Sequence, residues 1–140
     1  MKPTVRSILA VLLGSLVTFV LIMGIEGISS VIYPLPEGVD PNDMEALKVA
    51  IPKMPLGGKV LVLISYAVGT FVGAWLAAWF ARRAHMVHAM IVAGLFLAGD
   101  IVNLNQLPHP MWMAVVSLAI FPVCALLGAG LAALKQAPPA

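Results

Sequence analysis

Two carboxylic acids stand at matching places in this chain. Glu26 is followed, after seven residues, by Pro34-Leu35-Pro36, and Asp100, again after seven, by Pro108-His109-Pro110. Each acid lies in an apolar stretch and has a polar residue three positions on, Ser29 in the first case and Asn103 in the second. Carboxylates are costly inside a membrane helix and are retained there for a reason, so a repeated pair is the first place to look for function.

Each acid precedes its first proline by eight residues, which is about 12 Å of helix from the turn. At the centre of a membrane an ionised side chain costs about 2.5–3.5 kcal/mol, and less towards the interface. Protonation, a hydrogen-bond donor, a counter-charge or water has to offset that cost. If the two acids converge, with Ser29 and Asn103 one turn outward on the same helix faces, four oxygen-bearing side chains surround one outward-facing cavity. Close carboxylates titrate as a coupled pair. Such a set suits a proton, a small cation or an amine-bearing ligand, and all-oxygen ligation is compatible with a hard metal ion. A purely structural role has the same residues bonding to neighbouring helices: Glu26 to a Ser or Thr hydroxyl or to Lys59 as counter-charge, Asp100 and Asn103 as interhelical polar glue.

The elements that must position these groups are membrane helices. The chain has 140 residues, 61% hydrophobic and 10% charged, with mean hydropathy +1.03. A soluble domain is about 25% charged, so this composition implies a single integral membrane domain covering 1–140. Four apolar segments reach the roughly 20 residues needed to cross the hydrocarbon: about 7–33, 59–80, 85–104 and 111–134, with an outer loop at 34–58. Continuous runs of this kind are helices, because only a helix satisfies its own backbone within lipid. The expected fold is an all-α bundle of four transmembrane helices. The basic start, Lys2 to Arg6, resembles a secretory leader, but the long run, Glu26 near its far end and the lack of a clear cleavage site favour retention as the first span.

Lys2, Arg6, Arg82, Arg83 and Lys135 all fall on one side of such a bundle, with no acid among them. By the positive-inside rule both termini are expected to be cytoplasmic, in a bacterial inner membrane, with the 34–58 loop and the 108–110 turn facing outward. Trp75 and Trp79 then lie at the inner interface and Trp112 at the outer one.

A second likeness supports an internal repeat. Gly73-Ala74-Trp75-Leu76-Ala77-Ala78 aligns with Gly128-Ala129-Gly130-Leu131-Ala132-Ala133, each just before a basic residue. With the two acid-to-proline spacings, this points to tandem duplication of a two-helix hairpin, with an axis along the membrane normal bringing the acids to one height. The longer first loop reads as a short amphipathic helix: Asp40 as cap, Pro41 at the first helical position, and Met44, Leu47 and Ile51 on one face. Ser65, Gly69, Gly73 and Ala77 recur every fourth residue, as do Cys124, Gly128 and Ala132, with shorter rows at Gly14 and Thr18 and at Gly94 and Ala98. Small-xxx-small rows let helices approach closely, within one chain or against a homo-oligomer or partner membrane subunit.

Other classes are excluded or unsupported. No basic tract suits nucleic acid. A lone cysteine, Cys124, rules out internal disulfides and thiolate metal cages. His85 and His88, one turn apart beside Arg82 and Arg83, lack a third metal ligand and read as interfacial histidines. No phosphate-binding, dinucleotide, zinc-protease or serine-hydrolase motif is present, and no cofactor is implied. Three functions stay open: a binding or transport protein using Glu26, Asp100, Asn103 and Ser29; a non-catalytic accessory or scaffold subunit; and a small enzyme acting on a lipid-soluble substrate, for which nothing specific argues.

Overall fold

The computed structural model describes residues 1–136. These are 84% helical, with no strand among them. Among the described residues, four helices are long and apolar enough to cross a membrane: α1 (Pro3–Ile32), α3 (Leu56–Ala81), α4 (His85–Gln106) and α5 (Met111–Gln136). A two-turn helix, α2 (Met44–Ala50), and one 3-10 turn at Ile51–Lys53 lie in the first long connection. Each long helix extends beyond its apolar run, because helix formation continues into polar flanks until a breaker intervenes. Thus α1 begins at Pro3, where proline suits the first turn, and α3 begins directly after Pro55.

Gly57 and Gly58 therefore belong to the first turn of α3. The Tyr33 ring packs over Gly57, where a Cβ would have to displace its hydroxyl. The start of α2 also differs from the sequence expectation. Asp43 is the cap, its carboxylate accepting from the amides of Glu45 and Ala46 at 3.0 and 3.2 Å. Asp40 instead closes the preceding turn by accepting from the Asn42 amide at 2.8 Å.

α3 is the hub and packs against α1, α4 and α5. α1 lies along α3 and touches α4 weakly; it does not approach α5. A twofold axis along the bundle that exchanged the hairpins would demand an α1–α5 contact to match α3–α4. The packing lacks that symmetry.

The α1–α3 contact is an antiparallel ladder of four-residue rows. Gly14 abuts Ala77 and the Gly73 carbonyl, Gly73 abuts Thr18 and Gly69 abuts Ile22. Cβ atoms built on these glycines would collide with the facing helix. Glycine is thus what permits this approach. Thr18, fully buried, returns its hydroxyl to the Gly14 carbonyl at 2.9 Å, so its own donor is satisfied. On the other side of α3, Gly128 of α5 faces the backbone at Phe71 and Trp75. Ala74, Ala78, Ala89, Ala93, Phe121, Ala125 and Ala129 form the core among α3, α4 and α5.

The end of the bundle carrying the N-terminus and the 82–84 turn is tied down by side chains that serve the last carbonyls of α3. Arg6 Nε donates to Phe80 O at 2.7 Å, and Gln136 Nε2 donates to Trp79 O at 2.6 Å. These meet the orphan acceptors of a helix C-terminus, and Arg6 also complements its dipole. Arg82 and Ala84 take left-handed φ values of 58° and 45° to make the tight turn. His88 is buried, its Nδ1 donating to Ala84 O at 3.0 Å, and is not the headgroup-facing side chain its position in the sequence implied.

Candidate functional site

Glu26 extends a row on α1 that begins Ala10, Gly14, Thr18, Ile22, one helical turn apart at each step. The facing row on α3 runs the other way through Ala77, Gly73 and Gly69 to Ser65. The last rung therefore sets Glu26 against Ser65, whose Oγ lies 3.4 Å from Glu26 Oε1. That hydroxyl has one proton, and the Val62 carbonyl, at 2.7 Å, is the nearer acceptor. The contact with Glu26 is correspondingly weak.

Asp100 is held differently. It is 5% exposed and accepts from Ser117 Oγ of α5 at 2.7 Å, while the competing carbonyl of Ala114 is farther, at 3.0 Å. A short bond to a carboxylate belongs to the strong, charge-assisted class when the acid is ionised. Both acids thus meet a serine on the second helix of their own hairpin, one loosely and one firmly.

A cavity of about 500 Å³ opens between α1 and α4, walled by Glu26, Asp100, Asn103, Tyr66 and Phe121 together with Phe19, Ile22, Met23, Leu95, Phe96 and Gly99. A smaller one, about 150 Å³, lies towards the loop end under Ile51 and Met54 and is lined by Lys59 and His109 among others. Glu26, Tyr66 and Asn103 border both. They stand where a chamber under the loops meets the larger one between α1 and α4. The Tyr66 phenol lies beside the Asn103 side chain and within Coulombic reach of both acids, and its ring packs on Phe121 at 5.3 Å between centroids.

Among the sequence-derived candidates, Glu26, Asp100 and Asn103 are brought together on one cavity wall. Lys59 lines the smaller chamber with Glu26 but donates its ammonium to Pro52 O at 3.0 Å, with no ion pair to the acid. Ser29 is buried and borders neither cavity. Among the described residues the one salt bridge is the exposed Lys48–Glu45 pair at 2.7 Å, so no cation neutralises Glu26 or Asp100 at bonding distance. No three His, Cys, Asp or Glu side chains gather as a metal set among the described residues.

Tyr66, Ser65 and Ser117 are the site residues that sequence reasoning did not assign. Ser65 had a legible signal. Continuing the Gly14–Thr18 row to Glu26 and running it against the Ser65–Ala77 row sets the two residues opposite each other. Tyr66 had a fainter one: under the alignment of Gly73 with Gly128 its counterpart is Phe121, the ring it touches. Ser117 falls one turn from the counterpart of Ser65 in that alignment, and no spacing pointed to it. No protein-family model matches this chain, and no curated protein or solved structure does either.

Proposed function

We propose that this protein binds, and in a membrane passes, a small cation, a protonated amine or a proton at the Glu26–Asp100 site, in a bundle whose loops face outward and whose termini are cytoplasmic. The observation that carries the reading is the shared cavity. Two carboxyl groups from different helices border one chamber, with Tyr66 and Asn103 in the same lining and no cationic side chain bonded to either. Two carboxyl groups without a counter-ion at bonding distance are expensive in a low-dielectric setting and are relieved by whatever positive charge enters. Glu26, Tyr66 and Asn103 also border the chamber under the loops, which is what a path from the outer face requires. In this reading α2 lies across the mouth as an amphipathic cover, and the two acid–serine bonds are traces of an ancestral hairpin duplicated in tandem.

The test is purification of Glu26→Gln and Asp100→Asn beside the parent. Methylammonium binding by calorimetry and cation-driven dye response in proteoliposomes are then compared. Both activities are expected to fall while the variants still elute as assembled protein. Full binding and flux in both variants would end this reading.

A second reading, an accessory subunit or homo-oligomer, has one specific observation in its favour. The Gly94–Ala98 row of α4 is exposed, and a Cβ added at Gly94 meets nothing within 4 Å. Stoichiometric co-purification of a larger membrane protein in mild detergent supports it, and a lone homogeneous particle argues against it.

A further inference from the structure

The seam between α1 and α4 is the open side of this bundle. The two helices come together near Gly14, where an added Cβ would sit 3.2 Å from Val92 Cγ2. On one side of that pinch lies an apolar groove of about 310 Å³ along Ile8, Val11, Leu12 and Ile91. On the other side lies the carboxylate cavity, whose flanks Phe19, Met23 and Leu95 are 55%, 51% and 56% exposed on the lipid-facing surface of the spans. The chamber therefore has apolar walls continuous with the outside of the bundle and a floor carrying Glu26, Asp100, Tyr66 and Asn103.

The alternative route, through the loops, is narrow. The outer chamber holds about 150 Å³, too little for a long alkyl chain, and Lys59 stands in its wall. A ligand with a long apolar body does not fit there and is accommodated at the seam.

We propose that the ligand of this site is an amphiphilic amine that enters sideways from the bilayer between α1 and α4. Its ammonium group rests on Glu26 and Asp100, with Tyr66 and Asn103 beside it, and its alkyl chain lies along Phe19, Met23 and Leu95. This inference rests on the cation reading of the two carboxylates and adds the class of ligand and its door. The apolar walls supply affinity that a short hydrophilic amine cannot draw on.

Gly99 offers a way to close that door without disturbing the core. It lines the cavity, and a Cβ built on it meets nothing within 4 Å. The full chain in neutral maltoside micelles is titrated with dodecylammonium and with methylammonium, each read as a rise in melting temperature. Dodecylammonium is expected to act at a concentration roughly tenfold or more below that of methylammonium. Gly99→Trp is expected to melt like the parent without ligand, to lose the dodecylammonium response and to keep the methylammonium response. Leu95→Trp, one turn away on the same exposed flank of α4, repeats the test should Gly99→Trp assemble poorly. Phosphatidylethanolamine added to the micelles identifies the source. Displacement of dodecylammonium marks the amine as a lipid headgroup, and no displacement marks a free amphiphile; either result supports the proposal. Equal potency of the two amines, or an unchanged dodecylammonium response in both blocked variants, overturns the lateral route. Unchanged responses to both amines in Glu26→Gln and Asp100→Asn overturn the underlying cation reading instead.

Discussion

Helix α1 has two long neighbours and meets them in opposite ways. Against α3 it closes: Gly14, Thr18, Gly69 and Gly73 bring backbones so near that a single added methyl group would collide. Against α4 it stays open, and bulky side chains such as Phe19, Met23 and Leu95 flank chambers instead of filling them. The same helix thus has one seam built for cohesion and one that leaves room. Where lipid removes the hydrophobic drive between helices, small residues decide where backbones meet. Glu26 sits where these seams join, as the last rung of the closed ladder and part of the wall of the open chamber.

The contrast can be broken most severely at the closed seam. Gly73→Leu forces a side chain into the Gly14 backbone and the Thr18 side chain, and overpacking of that kind costs about 1–3 kcal/mol or more. The expected result is loss of the monodisperse peak in size exclusion. A well-behaved Gly73→Leu protein would mean that the α1–α3 ladder is not what holds the bundle together.

The next largest effect is on binding, at the acids. Glu26→Gln should weaken methylammonium binding by about tenfold or more, the scale of a lost charge-assisted contact, and leave the melting temperature nearly unchanged because the Ser65 bond is long. Asp100→Asn should weaken binding too, and it should also lower stability by about 1 kcal/mol as the short Ser117 bond loses its charged acceptor. Equal thermal effects in the two variants would erase the distinction between a loosely and a firmly held acid. Since protons and cations compete for the same carboxylates, binding in the parent should weaken as pH is lowered. A pH-independent affinity would point to neutral ligand recognition.

Smaller still is Tyr66→Phe. It keeps the ring against Phe121 and removes the hydroxyl from between the chambers, for an expected several-fold loss of affinity, on the order of 0.5–1.5 kcal/mol. The smallest effect is expected at Gly94→Leu on the exposed face of α4, where a surface change should stay within about 0.5 kcal/mol in stability. A fall in particle mass for that variant would shift weight to the partner-subunit reading.

Much of this was legible in the residues themselves. Four apolar runs, each bounded by proline, charge or a basic turn, define four helices because hydropathy and helix length act along the chain and need no knowledge of neighbours. The four-residue rows at Gly14 and Thr18 and at Ser65 to Ala77 mark faces suited to close approach for the same local reason. The embedded acids at Glu26 and Asp100 could be singled out because their cost is set by depth alone. What such spacing could not say is which face meets which. Asp40 and Asp43 are equally able to cap, and only the path of the 34–55 connection chose Asp43. The repeat implied a symmetric arrangement, yet α1 rests on α3 and α4 and never reaches α5. Ser29 shares the expected spacing but is turned to a buried position off the cavity walls, while Tyr66, on a third helix, stands between the chambers. Side chains on different helices are placed by rotation and tilt, and those follow from the sum of all contacts at the crossings. No local stretch of sequence carries that sum.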